Sequence, residues 1–257
     1  MPSWRVDVLS TAFDTTRARL VARFGARVEP WWQRLPGVLG ELAVRWDLVL
    51  GDAVGHGNTS LVIRCQRVEG QPAMLKLTPD SSLAAAEASA LRSWAASRRV
   101  PLVWGFDLAA GALLLEALPD ETPLSEVRAE VSLRDVAGLI AALHSSGAPV
   151  VADGVVTLAD RVAFIFEHWI ERYGRNAAVI DAVSLTRLQR GHHLACELAA
   201  QVGADVLLHG DLHAGNVLDG GVGRGLVAID PRPCVGVLSA AEFGHGGAAV
   251  RGPRGGG

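Results

Sequence analysis

The sequence predicts an α+β fold with two lobes, a small and mostly antiparallel sheet followed by a mostly helical half. In the first half, short β-like runs at 46–50, 60–68 and 73–77 are separated by glycine-containing turns. In the second half, long segments with helical spacing of apolar residues take over. Apolar residues make up 49% of the 257 positions, so the chain has enough material to bury a core.

Helices frame the predicted sheet. A helical pattern covers 14–45, where Pro30 and Pro36 are expected to break it. A second helix is predicted from Ser82, its expected N-cap, through residue 96. The last two strands of the first half are predicted at 100–106 and 111–118.

The second half is predicted to begin after a hinge at 119–123, whose sequence is Pro-Asp-Glu-Thr-Pro. Its predicted elements are helices over 124–145, 157–173 and 179–202 and strands over 206–208 and 226–229. The expected organisation is an N-lobe over 1–118, a C-lobe over 119–236 and an atypical tail over 237–257.

Composition narrows the classes of partner. The formal net charge is −3, which gives no reason to expect nucleic acid or an anionic membrane as a partner. The 3 cysteines are widely spaced and form neither a disulfide framework nor a zinc pattern. Charged residues interrupt the first thirty positions, so no signal peptide or membrane span is expected. We expect a cytoplasmic monomer that binds neither nucleic acid nor membrane.

The strongest motif is His-Gly-Asp-Leu-His-Ala-Gly-Asn at 209–216. It matches the catalytic loop of kinases, in which an Asp is followed five positions later by an Asn. Asp211 would accept the proton of an attacking hydroxyl, and the side-chain oxygen of Asn216 would hold a metal ion on the ATP phosphates. The motif alone leaves open a solvated turn, or a metal-ligand cluster built on His209, Asp211 and His213.

A second acid stands where a kinase places its other metal ligand. Asp230 lies fourteen residues beyond Asn216, after a glycine-rich turn at 220–225 and the predicted strand 226–229. In kinases this Asp chelates Mg²⁺. The sequence around it reads Asp-Pro-Arg-Pro rather than Asp-Phe-Gly.

The segment 54–62 fits a glycine-rich phosphate loop. Its small residues, Gly55, Gly57 and Asn58, would let backbone N–H groups approach phosphates closely, and Ser60 replaces the last glycine of the pattern. A plain hairpin turn is the alternative for this segment when it is considered alone.

A single lysine completes the set. Of 24 basic residues, 23 are Arg and only Lys76 is Lys. Lys76 lies near the end of the predicted strand 73–77, where a kinase places the lysine that binds the α- and β-phosphates of ATP. Glu87 follows eleven residues later on the predicted helix and is expected to pair with it. An exposed lysine and an exposed glutamate are the alternatives.

Together these motifs resemble those of the aminoglycoside and hydroxyurea antibiotic resistance kinases, and most closely the streptomycin 6-phosphotransferase branch. The resemblance is carried by the segments 54–62, 75–76, 113–116, 209–216 and 228–231, and it extends from about residue 10 to residue 236. The His-Gly-Asp form of the loop is typical of the kinases that act on small molecules. The fold that the resemblance implies is the protein-kinase-like fold.

The resemblance also implies a reaction. ATP would be the donor, Mg²⁺ the metal, and a hydroxyl of a cationic aminoglycoside antibiotic, streptomycin first, the acceptor. The chain would thereby confer antibiotic resistance. The hinge from Glu116 to Leu118 would offer backbone groups to adenine.

Other classes remain open at this point. A metallophosphatase needs an earlier Asp-x-His and a later Asn-His pair, and neither occurs in the chain. A kinase for hydroxyurea, choline or a sugar amine is the nearest alternative, and an inactive remnant of a kinase is another. The remnant hypothesis comes from the tail at 237–257, which is dominated by Gly, Ala and Arg and departs from the family pattern. A truncation or frameshift would explain it, and we expect the tail to be flexible and helices 157–173 and 179–202 to expose apolar faces.

Overall fold

The structure is a computed structural model that describes residues 10–54, 59–127, 131–149, 152–174, 182–201 and 203–237. Internal contacts divide the chain into two compact units, Met1–Val155 with Leu207–Pro233 and Val156–Val206 with Cys234–Gly257. The expected boundary at 118/119 lies inside the first unit, so the lobes predicted over 1–118 and 119–236 stay a prediction. The tail from residue 238 and three loop residues, Gly55, Gly57 and Asn58, lie outside the described residues.

The first unit contains one five-stranded antiparallel sheet. Its strands are β1 (Val49–Val54), β2 (Leu61–Gln66), β3 (Pro72–Leu77), β4 (Val103–Asp107) and β5 (Ala112–Glu116), in the order β1-β2-β3-β5-β4. The antiparallel sheet predicted for the first half is therefore confirmed. The strand predicted at 46–50 begins later, because the Trp46 N–H donates to the Leu42 carbonyl at 2.9 Å and Asp47 turns the chain with a φ of 52°.

The predicted helix 14–45 is two helices, α1 (Ser10–Phe24) and α2 (Val28–Arg45). The break falls at Gly25, whose φ is 71°, and not at the prolines. Pro30 occupies the first turn of α2, where an N–H has no partner within the helix. Pro36 lies inside α2 at a cost of about 3 kcal/mol. Burial of Leu35 and Leu42 against the sheet offsets that cost.

The alternation of β3 separates an apolar face from a functional face. Ala73, Leu75 and Leu77 belong to the core that α2 covers. Because side chains alternate along a strand, Lys76 points to the opposite face. There it meets α3 (Ser81–Ser93), whose predicted start at Ser82 is corrected by one residue. The carboxylate of Asp80 is the N-cap, since it accepts from the Ser82 N–H at 3.1 Å.

The helix predicted at 124–145 begins nine residues later than expected, as α4 (Leu133–Ser146). The first residues of the predicted span bond elsewhere: the Leu124 N–H donates to the Val217 carbonyl at 2.9 Å and the Ser125 N–H to the Ala214 carbonyl at 3.2 Å. The helix starts where Ser132 can cap it, by accepting from the Arg134 N–H. The segment after the hinge therefore supports the predicted catalytic loop.

A short hairpin follows β7 (Asp205–Leu208) and carries the predicted metal ligands at its open end. Its strands are β8 (Val217–Asp219) and β9 (Leu226–Ala228). Val217 pairs with Ala228 in antiparallel register. The sequence predicted β7 and β9, but β8, with three residues, is too short to give a periodic signal.

The second unit holds β6 (Val156–Thr157), α5 (Leu158–Gly174), α6 (Ala182–Ala199) and β10 (Cys234–Val237). Strand β10 runs parallel to β6, within a three-stranded sheet of order β6-β10-β7. As predicted, α5 and α6 expose large apolar side chains, at Phe164, Trp169, Ile170, Leu185, Leu194 and Leu198. In the described ranges, no helix has the length and apolar content that crossing a membrane requires.

Candidate active site

The loop after β7 is organised by its own hydrogen bonds. Gly210 has a φ of 72°, a left-handed conformation that glycine adopts without steric cost and that turns the chain directly after the strand. The Asn216 N–H then donates to the His213 carbonyl at 2.8 Å. The side-chain amide of Asn216 donates through Nδ2 to the Asp211 carbonyl at 2.9 Å. This bond commits the amide nitrogen, so Oδ1 is the atom of Asn216 that can bind a cation.

The β8–β9 hairpin brings Asn216 and Asp230 to one end. Asn216 directly precedes β8, and Asp230 follows β9 after Ile229. The Ile229 N–H donates to the Asn216 carbonyl at 2.9 Å, which extends the hairpin ladder by one bond. Two oxygen-bearing side chains fourteen residues apart in sequence therefore lie at the same point in the fold.

Lys76, Glu87 and Asp230 form a buried ionic cluster, called the Lys76 cluster below. The Lys76 Nζ atom lies 2.7 and 2.6 Å from the two carboxylate oxygens of Glu87 and 2.6 Å from Oδ1 of Asp230. The side chains of Lys76 and Glu87 are only 7% and 5% exposed, whereas that of Asp230 is 36% exposed. The predicted pairing of Lys76 with Glu87 is confirmed. Asp230 is the member that solvent or a ligand can reach.

The charges of Lys76 and Asp230 support each other against burial, whereas burial raises the pKa of Glu87 despite the nearby ammonium. Burial acts to raise the pKa of Asp230, but the charge and hydrogen bond of Lys76, together with the charge of Arg232, outweigh it and hold the pKa below its usual range. Burial likewise acts to lower the pKa of Lys76, and the negative charges of Asp230 and Glu87 outweigh it and raise that pKa. Asp230 is therefore ionised and Lys76 protonated at neutral pH.

His209 links the predicted catalytic loop to the residue before Asp230. Its ring is buried and stacked on Trp94, with ring centroids 6.1 Å apart. The Nε2 atom lies 3.0 Å from the Ile229 carbonyl, so it carries the proton and donates. Burial lowers the pKa of His209 to about 4. At neutral pH the ring is therefore uncharged, and its role is structural: it donates a hydrogen bond and does not carry a proton to the substrate.

Glu116, predicted to bind the nucleotide, lies in a different cluster. Its carboxylate accepts from Arg224 at 2.6 Å (Oε1) and 3.0 Å (Oε2), and Oε2 also accepts from the Leu102 N–H at 3.0 Å. Arg224 also donates to the carbonyls of Arg98 at 2.7 Å and Val100 at 2.6 Å. We call this group, centred on Arg224 and Glu116, the Arg224 cluster. It fastens the turn between β8 and β9 to the end of β5.

The structure therefore sorts the predicted site residues. It brings Lys76, Glu87 and Asp230 into contact, and it connects them through Ile229 to the loop of Asp211 and Asn216. Ser60 is buried, one residue before β2 begins. The roles assigned to these residues stay predictions.

The donor set at the hairpin end fits a hard divalent cation. Asn216 and Asp230 supply one amide oxygen and a carboxylate, the ligand types that Mg²⁺ accepts alongside water and phosphate oxygens. Among the residues that the structure describes, no three His, Cys, Asp or Glu side chains are grouped as a metal site. Two protein ligands suit Mg²⁺ that is bound chiefly through a nucleotide's phosphates.

Two arginines have structural roles that the sequence does not indicate. Arg224 lies in the glycine-rich turn at 220–225, and Arg232, two residues after Asp230, donates to the hydroxyl of Thr59. In a chain with 23 Arg, a further Arg carries no compositional signal. The flanking prolines, Pro231 and Pro233, are the feature of the sequence that distinguishes Arg232 from other arginines.

The arrangement defines the chain as a member of the protein-kinase-like fold of phosphotransferases. Over 77% of its length it superposes on 73% of macrolide 2'-phosphotransferase MphH from Brachybacterium faecium, with a TM-score of 0.50 and 21% sequence identity. At that identity the likeness concerns the fold alone.

Sequence comparison is more specific. The family model for aminoglycoside/hydroxyurea antibiotic resistance kinases matches residues 45–247, and the chain belongs to that family. The match continues past residue 236, where the resemblance was expected to end. The chain is 37% identical over 215 residues to hydroxyurea phosphotransferase from Kitasatospora aureofaciens, covering 82% of this chain and 61% of that protein. It is 33% identical over 214 residues to streptomycin 6-kinase from Streptomyces glaucescens, covering 83% and 67%. The chain thus spans about three-fifths to two-thirds of these relatives.

Proposed function

We propose that the chain is an ATP-dependent phosphotransferase that phosphorylates a hydroxyl of an aminoglycoside antibiotic, with streptomycin as the first candidate, and so confers resistance. One observation carries the proposal: the side chain of Asn216 is hydrogen-bonded to the carbonyl of Asp211, at the hairpin end where Asp230 meets Lys76. Base, metal ligands and phosphate-binding lysine are the parts that phosphoryl transfer requires. Membership of the resistance kinase family supports it.

In the proposed reaction, the oxygen of the acceptor hydroxyl bonds to the γ-phosphorus of ATP, and Asp211 accepts the proton that this hydroxyl loses. The bond from that phosphorus to the bridging oxygen breaks, and ADP leaves with the electron pair. Asn216 and Asp230 would hold Mg²⁺, which would supply positive charge beside the phosphates. Catalysis then rests on positioning and on preorganised charge, and not on covalent chemistry with the protein.

The remaining predicted residues hold the nucleotide in this proposal. Lys76, oriented by both oxygens of Glu87, contacts the α- and β-phosphates. Backbone groups from Glu116 to Leu118 face adenine. Small residues at Gly55, Gly57, Asn58 and Ser60 contact the phosphates. We propose that the protein acts as a monomer in the cytoplasm, where ATP is available.

Hydroxyurea is the second candidate acceptor. It is favoured by one observation, the identity of 37% to hydroxyurea phosphotransferase, against 33% to the streptomycin 6-kinase. Hydroxyurea also presents a hydroxyl group, so the same base and the same metal ligands would serve it. The two candidates differ greatly in size and charge, and a direct assay separates them.

The test is transfer of labelled γ-phosphate from ATP with Mg²⁺ to streptomycin and to hydroxyurea in parallel reactions, with an acceptor-free reaction as control. We expect label in streptomycin in a one-to-one ratio to the ADP formed. Label in hydroxyurea alone would establish the second candidate. Nucleotide binding without transfer to either compound would contradict both acceptors, and no nucleotide binding would contradict the phosphotransferase itself.

A further inference from the structure

Arg232 ties the turn that carries Asp230 to two other parts of the first unit. Its backbone N–H donates to the His209 carbonyl at 2.9 Å. Its guanidinium donates through Nη2 to the hydroxyl of Thr59, two residues before β2 begins. The flanking Pro231 and Pro233 are buried and restrict the backbone on both sides. Arg232 is therefore held by its main chain and reaches the sheet with its side chain.

The turn needs such ties. Asp230 has a φ of 55°, a left-handed conformation that costs a residue other than glycine about 1–2 kcal/mol. In the structure a side-chain bond opposes that cost directly, the 2.6 Å contact from Lys76 to Oδ1 of Asp230. The Ile229 N–H and the Arg232 N–H hold the backbone on either side.

The contact with Lys76 is the one that nucleotide binding disturbs. The ammonium has three N–H donors, and two carboxylates occupy it here. If Lys76 contacts phosphates, as the proposed function requires, it must give up a partner. Glu87 is bound through both oxygens and is more deeply buried, so the partner to release is Asp230. The carboxylate of Asp230 then becomes available to a cation.

We propose that Arg232 is a positioning residue that keeps the Asp230 turn against the sheet, through Thr59, while Asp230 exchanges Lys76 for a divalent cation. The inference rests on the proposed function, since it assumes a site for a metal–nucleotide complex. It assigns the guanidinium to metal affinity and leaves the transfer step to Asp211. A guanidinium suits the task, because its charge also lies near Asp230 and favours the ionised carboxylate.

Thr59 offers a sharp test, because two substitutions separate its hydroxyl from its shape. Thr59→Val keeps the branched side chain and removes the acceptor, whereas Thr59→Ser keeps the hydroxyl. Binding of Mn²⁺ would be measured by electron paramagnetic resonance in the presence of ADP, with no acceptor and no turnover. Thr59→Val and Arg232→Met should each raise the Kd for Mn²⁺ by about tenfold, equivalent to about 1.4 kcal/mol. Thr59→Ser should bind Mn²⁺ like the wild type.

The double variant completes the test. If the two side chains act through one contact, Thr59→Val with Arg232→Met should weaken Mn²⁺ no more than either change alone. The far-ultraviolet circular dichroism spectrum should match that of the wild type in every variant, which a general loss of structure would not allow. Wild-type Mn²⁺ affinity in Thr59→Val, or additive losses in the double variant, would overturn the inference and leave the phosphotransferase proposal standing. A wild-type chain that binds neither ADP nor Mn²⁺ would overturn the phosphotransferase proposal.

Discussion

Two ionic clusters fasten the five-stranded sheet to the β8–β9 hairpin, and they differ in how fully their charges are satisfied. In the Arg224 cluster, one carboxylate meets one guanidinium through two bonds, and two backbone carbonyls accept from Nε and Nη2. In the Lys76 cluster, two carboxylates share a single ammonium, and Asp230 is reachable from outside. The first arrangement has no carboxylate to spare. The second has a carboxylate that a ligand can reach, and that difference separates a structural ion pair from a candidate active site.

The largest effect is expected from Lys76→Arg. The charge is kept, but a planar fork cannot replace a compact ammonium that lies 2.6–2.7 Å from three oxygens in a buried pocket. We expect turnover to fall on the order of 10²-fold, and nucleotide affinity to fall about tenfold. Steady-state kinetics and nucleotide titration would measure both. Arg17→Lys, the opposite exchange in an exposed ion pair, is the control and should change neither quantity. Normal kinetics in Lys76→Arg would remove the lysine from the phosphate site.

The next effect is a dependence of the unfolding free energy on pH, which distinguishes the buried ring of His209 from histidines at the surface. The pKa of His209 is about 4 when folded, against 6.5 for an ordinary histidine, so the unfolded chain takes up the proton first as pH falls. Its contribution is fully present above pH 6.5 and is lost as pH falls towards 4, which amounts to about 3 kcal/mol. Urea unfolding across this range should show the loss.

His209→Gln supplies the comparison for that measurement, because the glutamine amide can still donate to the Ile229 carbonyl. The variant should flatten the dependence of unfolding free energy on pH between 4 and 6.5. His193→Gln, at an exposed ring, should leave the dependence as in the wild type. An unchanged slope in His209→Gln would mean that the ring takes up its proton as readily in the folded chain as in the unfolded chain.

A smaller effect is expected from removing the ion pair of the Arg224 cluster. Glu116→Gln leaves the buried part of Arg224 without its carboxylate and should lower the free energy of unfolding by about 1–3 kcal/mol. The Michaelis constant for ATP should change little, because the proposed adenine contacts come from the backbone. Glu121→Gln, which breaks the more exposed pair with Arg64, is the matched control. A raised Michaelis constant with unchanged stability would assign the Glu116 side chain to the nucleotide.

The same comparison explains what the sequence could predict. The Lys76 cluster could be predicted from the sequence, because its members have fixed spacings in the kinase pattern and because Lys76 is the single lysine in the chain. The sheet could also be predicted, since alternation and glycine turns mark each strand. The Arg224 cluster could not be predicted, because Arg224 contacts residues more than a hundred positions away and nothing in the sequence distinguishes it from the other arginines.

The predicted helix boundaries are wrong where tertiary hydrogen bonds override the local sequence pattern. The segment from Leu124 has a helical pattern, yet its first N–H groups bond to the predicted catalytic loop and to β8. The helix therefore begins only after the cap at Ser132. Proline was similarly misleading. Pro36 was expected to break a helix, but the apolar contacts of Leu35 and Leu42 with the sheet keep α2 continuous through it.

The most direct test of the account is the variant Asp211→Asn, examined for phosphate transfer and for nucleotide affinity in the same preparation. If Asp211 serves the acceptor hydroxyl and the Lys76 cluster serves the nucleotide, transfer should fall by on the order of 10²–10⁴-fold. The Kd for Mg-ATP should meanwhile stay within about twofold of the wild type, a change of less than about 0.5 kcal/mol. Transfer at a near wild-type rate, or a loss explained entirely by weaker Mg-ATP binding, would contradict the assignment of Asp211 as the base.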